Sequence, residues 1–362
     1  MNTVCTQVLR RFALDTPPVS CERYGCGHIN ETYLIVCESG QRYILQKINS
    51  HVFRDVPALM QNIISVTAFL REKEPDPRRV LTLVPTVSGK MYLQFVDGSF
   101  WRVYNFIEDS LCLQSPETPE DFYQSALAFG RFQQMLADFP AETLSETIPG
   151  FHHTANRYQL FRETLSADPV GRAADVAEDI RFALAREAEA SALVEQQAAG
   201  LLPVRVTHND TKLNNVMLDA ATKTALCVID LDTIMPGLSL YDFGDSIRFG
   251  AATAAEDEKD LSKVEMDPAL FRIYTRGFLT ACPGLTQQER DMLPMGAKLM
   301  TLECGVRFLT DYLDGDNYFK THYTDQNLDR CRTQFKLVAD MESKWDEMHR
   351  IVREEYRLLS GL

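Results

Sequence analysis

Residues 206–219, VTHNDTKLNNVMLD, set His208, Asp210 and Asn215 between apolar runs, and residues 225–232, ALCVIDLD, follow after a short polar stretch. NVML (215–218) and ALCVI (225–229) are short, apolar and strand-forming, and DAATKT between them supplies a turn, so the segment reads as a β-hairpin. A hairpin brings the chain back to the end from which it started. The groups before its first strand and after its second, Asp210, Asn215, Asp230 and Asp232, are therefore expected in one small volume.

Carboxylates gathered in this way repel one another unless a cation lies among them, and oxygen ligands that include one carboxamide suit Mg2+. Mg2+ takes few protein ligands and completes its shell with water and phosphate oxygens, so a nucleotide is the expected second party. On this reading Asn215 and Asp230 hold the metal, and Asp210 faces an acceptor hydroxyl and takes its proton.

The rest of the chain divides by composition. Up to residue 108 the signals are strands: TYLIVC and RYILQKI around the turn ESGQ, and KMYLQF with FWRVYNFI around VDGS. One helix interrupts them, PALMQNIISVTAFLREK, with Leu59, Ile63, Val66 and Leu70 on one face. From residue 109 onward the chain is mainly helical, including PEDFYQSALAFGRFQQMLADF and the Ala/Glu-rich run 175–200, expected to end at a Gly200 cap. Two lobes, 1–108 and 109–362, are expected of a chain of 362 residues.

Charge is unequally shared. Residues 1–108 carry 12 Lys and Arg against 10 Asp and Glu, whereas the remainder of the totals of 37 and 51 leaves 25 against 41. An acidic second part argues against nucleic acid, whose phosphates need clustered Lys and Arg. The N-terminus lacks a signal-peptide core, and no apolar run approaches the roughly 18 residues that span a bilayer, so a cytoplasmic protein with no membrane partner is expected. Nine dispersed cysteines without a C-x-x-C pair indicate neither a disulfide framework nor a zinc site. Oligomeric state is left open.

The order H-x-D-x-x-x-x-N (His208, Asp210, Asn215), followed by Asp230 at the close of an apolar strand, resembles the catalytic and metal loops of protein-kinase-like phosphotransferases. With HND and IDLD the likeness is to the aminoglycoside phosphotransferase and choline kinase superfamily. It implies an α+β, two-lobed protein-kinase-like fold, with a small antiparallel sheet and one helix followed by a larger helical lobe. The letters D-F-G at 242–244 are a decoy, because Asp230 and not Asp242 ends a strand; Asp242 and Asp245 are expected to brace loops, and His208 to fix the backbone of its own loop.

By the same likeness ERYGCGHINETYLIV supplies a phosphate loop through Gly25 and Gly27, with Asn30 as a further donor, although two glycines also suit a plain hairpin bend. A strand lysine should reach the phosphates, and Lys47 is the candidate; strand alternation allows only one of Gln46 and Lys47 to face them. The helix acid that pairs with such a lysine is missing, Gln61 standing in that region.

Longer strings, above all CVIDLDTIMPGLSLYDFGDSIR and FLTDYLDGDNYFK, resemble the N-acetylhexosamine 1-kinases of the superfamily. That resemblance implies ATP and Mg2+ as cofactors and transfer to the anomeric hydroxyl of N-acetylglucosamine or N-acetylgalactosamine. Arg307, Tyr318 and Phe249 would touch the sugar, against the plainer readings of a surface ion pair for the arginine and core packing for the aromatics. Aminoglycoside, choline or homoserine kinases are the alternatives within the superfamily, and a nucleotide-binding pseudokinase is the alternative outside catalysis.

Overall fold

A computed structural model describes residues 3–25 and 29–361. Contacts group the chain into two compact units: Met1–Leu111 with Asp138–Pro149 and Met217–Met235, and Cys112–Ala137 with Gly150–Val216 and Pro236–Leu362.

The first unit is built on a five-stranded antiparallel sheet of β1 (Pro18–Arg23), β2 (Glu31–Cys37), β3 (Arg42–Ile48), β4 (Leu93–Gln94) and β5 (Phe100–Asn105), in the order β1-β2-β3-β5-β4. The ESGQ turn closes with Cys37 N–H donating to the Gln41 carbonyl at 2.9 Å and Gly40 at φ 89°, a conformation in which a Cβ is unfavourable. Helix α2 (Val56–Lys73) starts on Asp55, which accepts the Ala58 N–H, and buries Leu59, Ile63, Val66 and Leu70 as the periodicity requires. The periodicity does not announce α1 (Thr3–Leu9), whose Cys5, Val8 and Leu9 share a core with Ile35, Tyr43, Leu45, Trp101 and Val103. That core defines one face of the sheet, and residues of opposite parity face the other way. The hairpin strands Val216–Asp219 and Ala225–Val228 are neighbours in a separate small sheet, closed by Asp219 N–H to the Thr224 carbonyl at 2.9 Å with Lys223 at φ 61°.

The second unit is helical. Its longest elements are α3 (Pro119–Met135), α4 (Thr154–Ala167) and the helices Ser239–Gly250, Pro268–Ala281, Leu293–Asp314, Gln326–Ser343 and Trp345–Ser360. The Ala/Glu-rich run expected as one helix is broken: helices Ala177–Leu184 and Ala192–Ala198 flank a single 3-10 turn at Glu187–Glu189. Good helix propensity is a weak force against tertiary pairing, and here Arg186 leaves the run to pair with Glu342 while Glu189 takes Lys298. Gly200 does cap the end, at φ 72°. Among the described residues no helix is long and apolar enough to cross a membrane, and the described cysteines are free thiols.

Two helices cross on glycine. A Cβ built at Gly244 in Ser239–Gly250 would stand 2.3 Å from the Gly296 carbonyl oxygen in Leu293–Asp314, a backbone atom that cannot give way cheaply. Gly244→Ala should therefore lower the unfolding free energy by about 1–3 kcal/mol, from overpacking. Urea unfolding measures it, and an unchanged midpoint and slope would show that the helices can separate at no cost.

Candidate active site

In the second unit the strand Arg205–Thr207 leads into a loop that is held almost residue by residue. The Asp242 carboxylate, fully buried, accepts the N–H groups of His208 at 3.0 Å and Asn209 at 2.8 Å, and Nε2 of Gln133 at 2.6 Å. Asp245 accepts the Thr211 N–H at 3.0 Å, the Thr211 hydroxyl donates to the Asp242 carbonyl, and Ser246 donates to the Thr211 carbonyl. Asn209 is held at φ 66°, a left-handed conformation that a non-glycine residue keeps only when its surroundings fix it. The His208 ring is buried edge-on against Phe129 and Phe132, and its Nδ1 accepts the Asp210 N–H at 3.3 Å. The bracing roles expected of Asp242, Asp245 and His208 thus have a physical form.

Asp210 stands at the outlet of this brace with its side chain one-third exposed. Lys212 Nζ lies 3.1 Å from its Oδ1, and Asn215 Nδ2 donates to both its carbonyl (2.8 Å) and Oδ2 (3.1 Å). With the amide hydrogens of Asn215 spent on Asp210, its Oδ1 is the atom left for a further partner. The charge of Asp210 raises the pKa of Lys212 against the effect of burial. Lys212 was not singled out from sequence, though its place two residues after Asp210 was visible.

Behind the loop lies a second buried pair that the sequence did not reveal. His152 spans Glu303 (Nδ1 to Oε1, 2.9 Å) and the Asn209 carbonyl (Nε2 to O, 3.2 Å), and the Thr154 hydroxyl donates to the other Glu303 oxygen at 2.8 Å. Both partners of the ring are acceptors, so both nitrogens donate when the two contacts are made together. Burial works against the Glu303 charge, but His152, with Arg307 and Arg157, holds its pKa below the ordinary carboxylate value. One turn from Glu303, the Arg307 guanidinium lies 5.4–5.9 Å from the ring centres of Phe151, Tyr318 and Phe319. Arg307 and Tyr318 therefore share one aromatic surface, with Tyr318 69% exposed and so available to a ligand. Phe249 is elsewhere: it lines a cavity of about 740 Å3 with Ser115, Arg248, Glu256 and Gln334, and neither Arg307 nor Tyr318 lines that cavity.

In the first unit, Asp230 follows its strand exposed and at φ 58°, again left-handed, ahead of a 3-10 turn at Leu231–Thr233. Asp232, two residues on, is buried and paired with Arg102 at 2.5 Å. The register fixes the neighbours of Lys47, the expected phosphate lysine. Lys47 pairs across the sheet with Glu31 and Trp101, approaches Glu31 at 3.7 Å and stands over the Trp101 ring, on the face that α1 covers. Gln46 has the other face, with Arg102 and Thr32. Asn30, expected as a phosphate donor, also bonds within the protein: its Nδ2 donates to Asp232 and its Oδ1 accepts the Asn49 N–H. Gly25 adopts φ 76° with open space beside it, and Gly27 lies outside the described residues.

The sequence matches the phosphotransferase enzyme family over residues 20–269. The chain belongs to this family. Solved structures with a similar fold include a microcompartment-associated aminopropanol kinase, 16% identical with a TM-score of 0.57, covering 96% of this chain and 98% of that one. An aminoglycoside phosphotransferase from Alicyclobacillus acidocaldarius is 13% identical, with a TM-score of 0.58 and coverage of 98% and 96%. An amicoumacin kinase in complex with AMP-PNP, Ca2+ and Ami is also 13% identical, with a TM-score of 0.59 and coverage of 95% and 94%. The likeness establishes the α+β kinase-like fold.

Among the described residues no three His, Cys, Asp or Glu side chains gather as a metal cage. Such a cage is not what Mg2+ requires, since it takes few protein ligands when phosphates and water supply the rest. Glu303→Ala would strand the Thr154 hydroxyl and His152 Nδ1 in the interior and should cost about 2 kcal/mol or more of stability. The folded-state pKa of Glu303 lies below its value of 4.5 in the unfolded chain. Its stabilisation is therefore complete above that value and is lost as pH falls through the folded value. Urea unfolding from pH 7 downward should show the gap between wild type and variant narrowing below about pH 4.5; a constant gap would rule out the charge as its source.

Proposed function

We propose that the protein is an ATP- and Mg2+-dependent sugar kinase that transfers the γ-phosphoryl group to O1 of an N-acetylhexosamine, N-acetylglucosamine or N-acetylgalactosamine. The observation that carries the phosphotransferase part is the braced Asp210, oriented by His208 and bonded to Asn215. Asp210 accepts the hydroxyl proton as the acceptor oxygen bonds to phosphorus and ADP leaves, so no second base is needed. An anomeric hydroxyl is more acidic than an ordinary alcohol, which suits a carboxylate base. Asn215 and Asp230 are the proposed metal ligands. Mg2+ bound there would neutralise charge on the transferring phosphates. The glycine loop, Gly25 with Gly27, is the proposed backbone cradle for the nucleotide.

The sugar part rests on the resemblance of the longer strings and on the surface shared by Arg307, Tyr318 and Phe319. A guanidinium framed by aromatic rings suits a ligand with an apolar ring face and a fringe of hydroxyl and amide groups. Phe249 is a proposed contact only for the part of an acceptor that enters the cavity it lines. The acidic balance, −14 overall, favours one competing reading, an amino-alcohol or aminoglycoside acceptor.

A panel of N-acetylhexosamines, other sugars, amino alcohols and aminoglycosides, incubated with ATP and Mg2+, separates these readings. Phosphorylation of N-acetylhexosamines with loss of the reducing end is expected; turnover confined to the cationic acceptors would replace the sugar reading with the competing one. Asp210→Asn should lower kcat by about 10²–10⁴-fold while nucleotide still binds. Near-normal turnover in that variant would remove Asp210 from the proton transfer.

A further inference from the structure

Arg102 on β5 is only 1% exposed, and strand alternation fixes it on the sheet face shared with Gln46 and Met60 of α2. A guanidinium taken this far from water must be fully paired. Its Nη1 lies 2.5 Å from Asp232 Oδ1, its Nε donates to Gln46 Oε1 at 2.9 Å, and the Tyr104 ring is 5.2 Å from its centre. The second Asp232 oxygen takes Asn30 Nδ2 at 2.5 Å, and Asn30 Oδ1 accepts the Asn49 N–H at 2.9 Å. Asp232 is thereby gripped by Arg102 of β5 and by Asn30, just ahead of β2, which is itself held by the segment that follows β3.

The gripped residue lies two places after Asp230, which is exposed and whose backbone is left-handed. Asn62 of α2 fixes the far side of the same turn by donating to the Ile234 carbonyl at 3.0 Å. A strained, exposed non-glycine residue between anchored neighbours is the arrangement of a preset ligand. Stability does not account for the pair, because apolar residues of similar volume would hold the unit about as well as a buried ion pair. Nor can a lysine at 46 provide the charge, since that position is glutamine.

We propose that Arg102 is a positioning residue for the metal–nucleotide site: acting through Asp232, it sets the Asp230 carboxylate and supplies, from β5, the fixed positive charge that β3 lacks on this face. Burial alone would lower the pKa of Arg102, but Asp232 beside it and Asp230 beyond raise it overall, so the cation is permanent. The proposal rests on the kinase reading above.

The test is calorimetric titration of the full chain with a non-hydrolysable ATP analogue, with and without Mg2+. Wild type should bind more tightly with Mg2+. Arg102→Met combined with Asp232→Leu removes both charges at similar volume; it should remain folded by urea unfolding yet lose at least tenfold of the Mg2+-dependent affinity. Gln46→Lys with Arg102→Met, which moves the cation to β3, should recover part of the loss. In turnover assays the Mg2+ concentration for half-maximal rate should rise while the acceptor KM stays the same. Wild-type Mg2+ dependence in the charge-free double variant would overturn the proposal and leave the kinase reading standing. Failure of wild type itself to bind the nucleotide would overturn both. If the double variant does not fold, Arg102→Lys decides: it keeps the charge without the two-pronged geometry, and unchanged Mg2+-dependent binding would refute a positioning role.

Discussion

The Asp242 carboxylate, sealed from solvent in the helix Ser239–Gly250, takes the N–H groups of His208 and Asn209, and everything downstream of the strand Arg205–Thr207 follows from that grip. A buried carboxylate would be a heavy liability without donors, and unsatisfied loop amides would be another; each cancels the other's cost. The left-handed Asn209 then turns the chain so that Asp210 leaves the interior, with Nδ1 of His208 taking its N–H. His152 and Glu303 hold the same turn from its carbonyl side. The result is a carboxylate whose backbone is fixed from both faces and whose side chain still reaches water, which is what a preorganised general base needs.

The two units satisfy their buried charges differently. Around Asp242 the donors include main-chain amides, so the carboxylate shapes backbone. Around Arg102 the partners are side chains, Asp232 and Gln46, and the pair is proposed to set one neighbouring residue, Asp230. In both units the residue proposed to face the ligand is the more exposed one beside a buried anchor: Asp210 beside Asn209, and Asp230 near Asp232. Each unit holds a non-glycine backbone in the left-handed region there, Asn209 just before Asp210 in one and Asp230 itself in the other.

Much of this was legible in the chain. The hairpin 216–228, the α2 face, the turns at Gly40 and Gly98 and the bracing role of Asp242 followed from apolar period, turn chemistry and spacing. What stayed hidden were pairs distant in sequence, Arg102 with Asp232 and His152 with Glu303, because neither residue of a pair carries a local sign of the other. Which of Gln46 and Lys47 shares a sheet face with Arg102 was hidden for a related reason. Alternation said that the two face opposite ways, but only the packing of α1, seven residues without a clear period, tells which face is which. The broken run 175–200 shows long-range pairing outweighing helix propensity, as Arg186 reaches Glu342.

Hydrogen exchange at individual amides tests the central grip most directly. If the Asp242 carboxylate holds the loop, the amides of His208 and Asn209 exchange as slowly as the buried helices of their unit. In Asp242→Asn those two should then speed up by orders of magnitude, with the amides of β2 and β3 unaffected. Equal protection of His208 and Asn209 in both proteins would mean that something other than this carboxylate fixes the loop, and the account of how Asp210 is presented would fail.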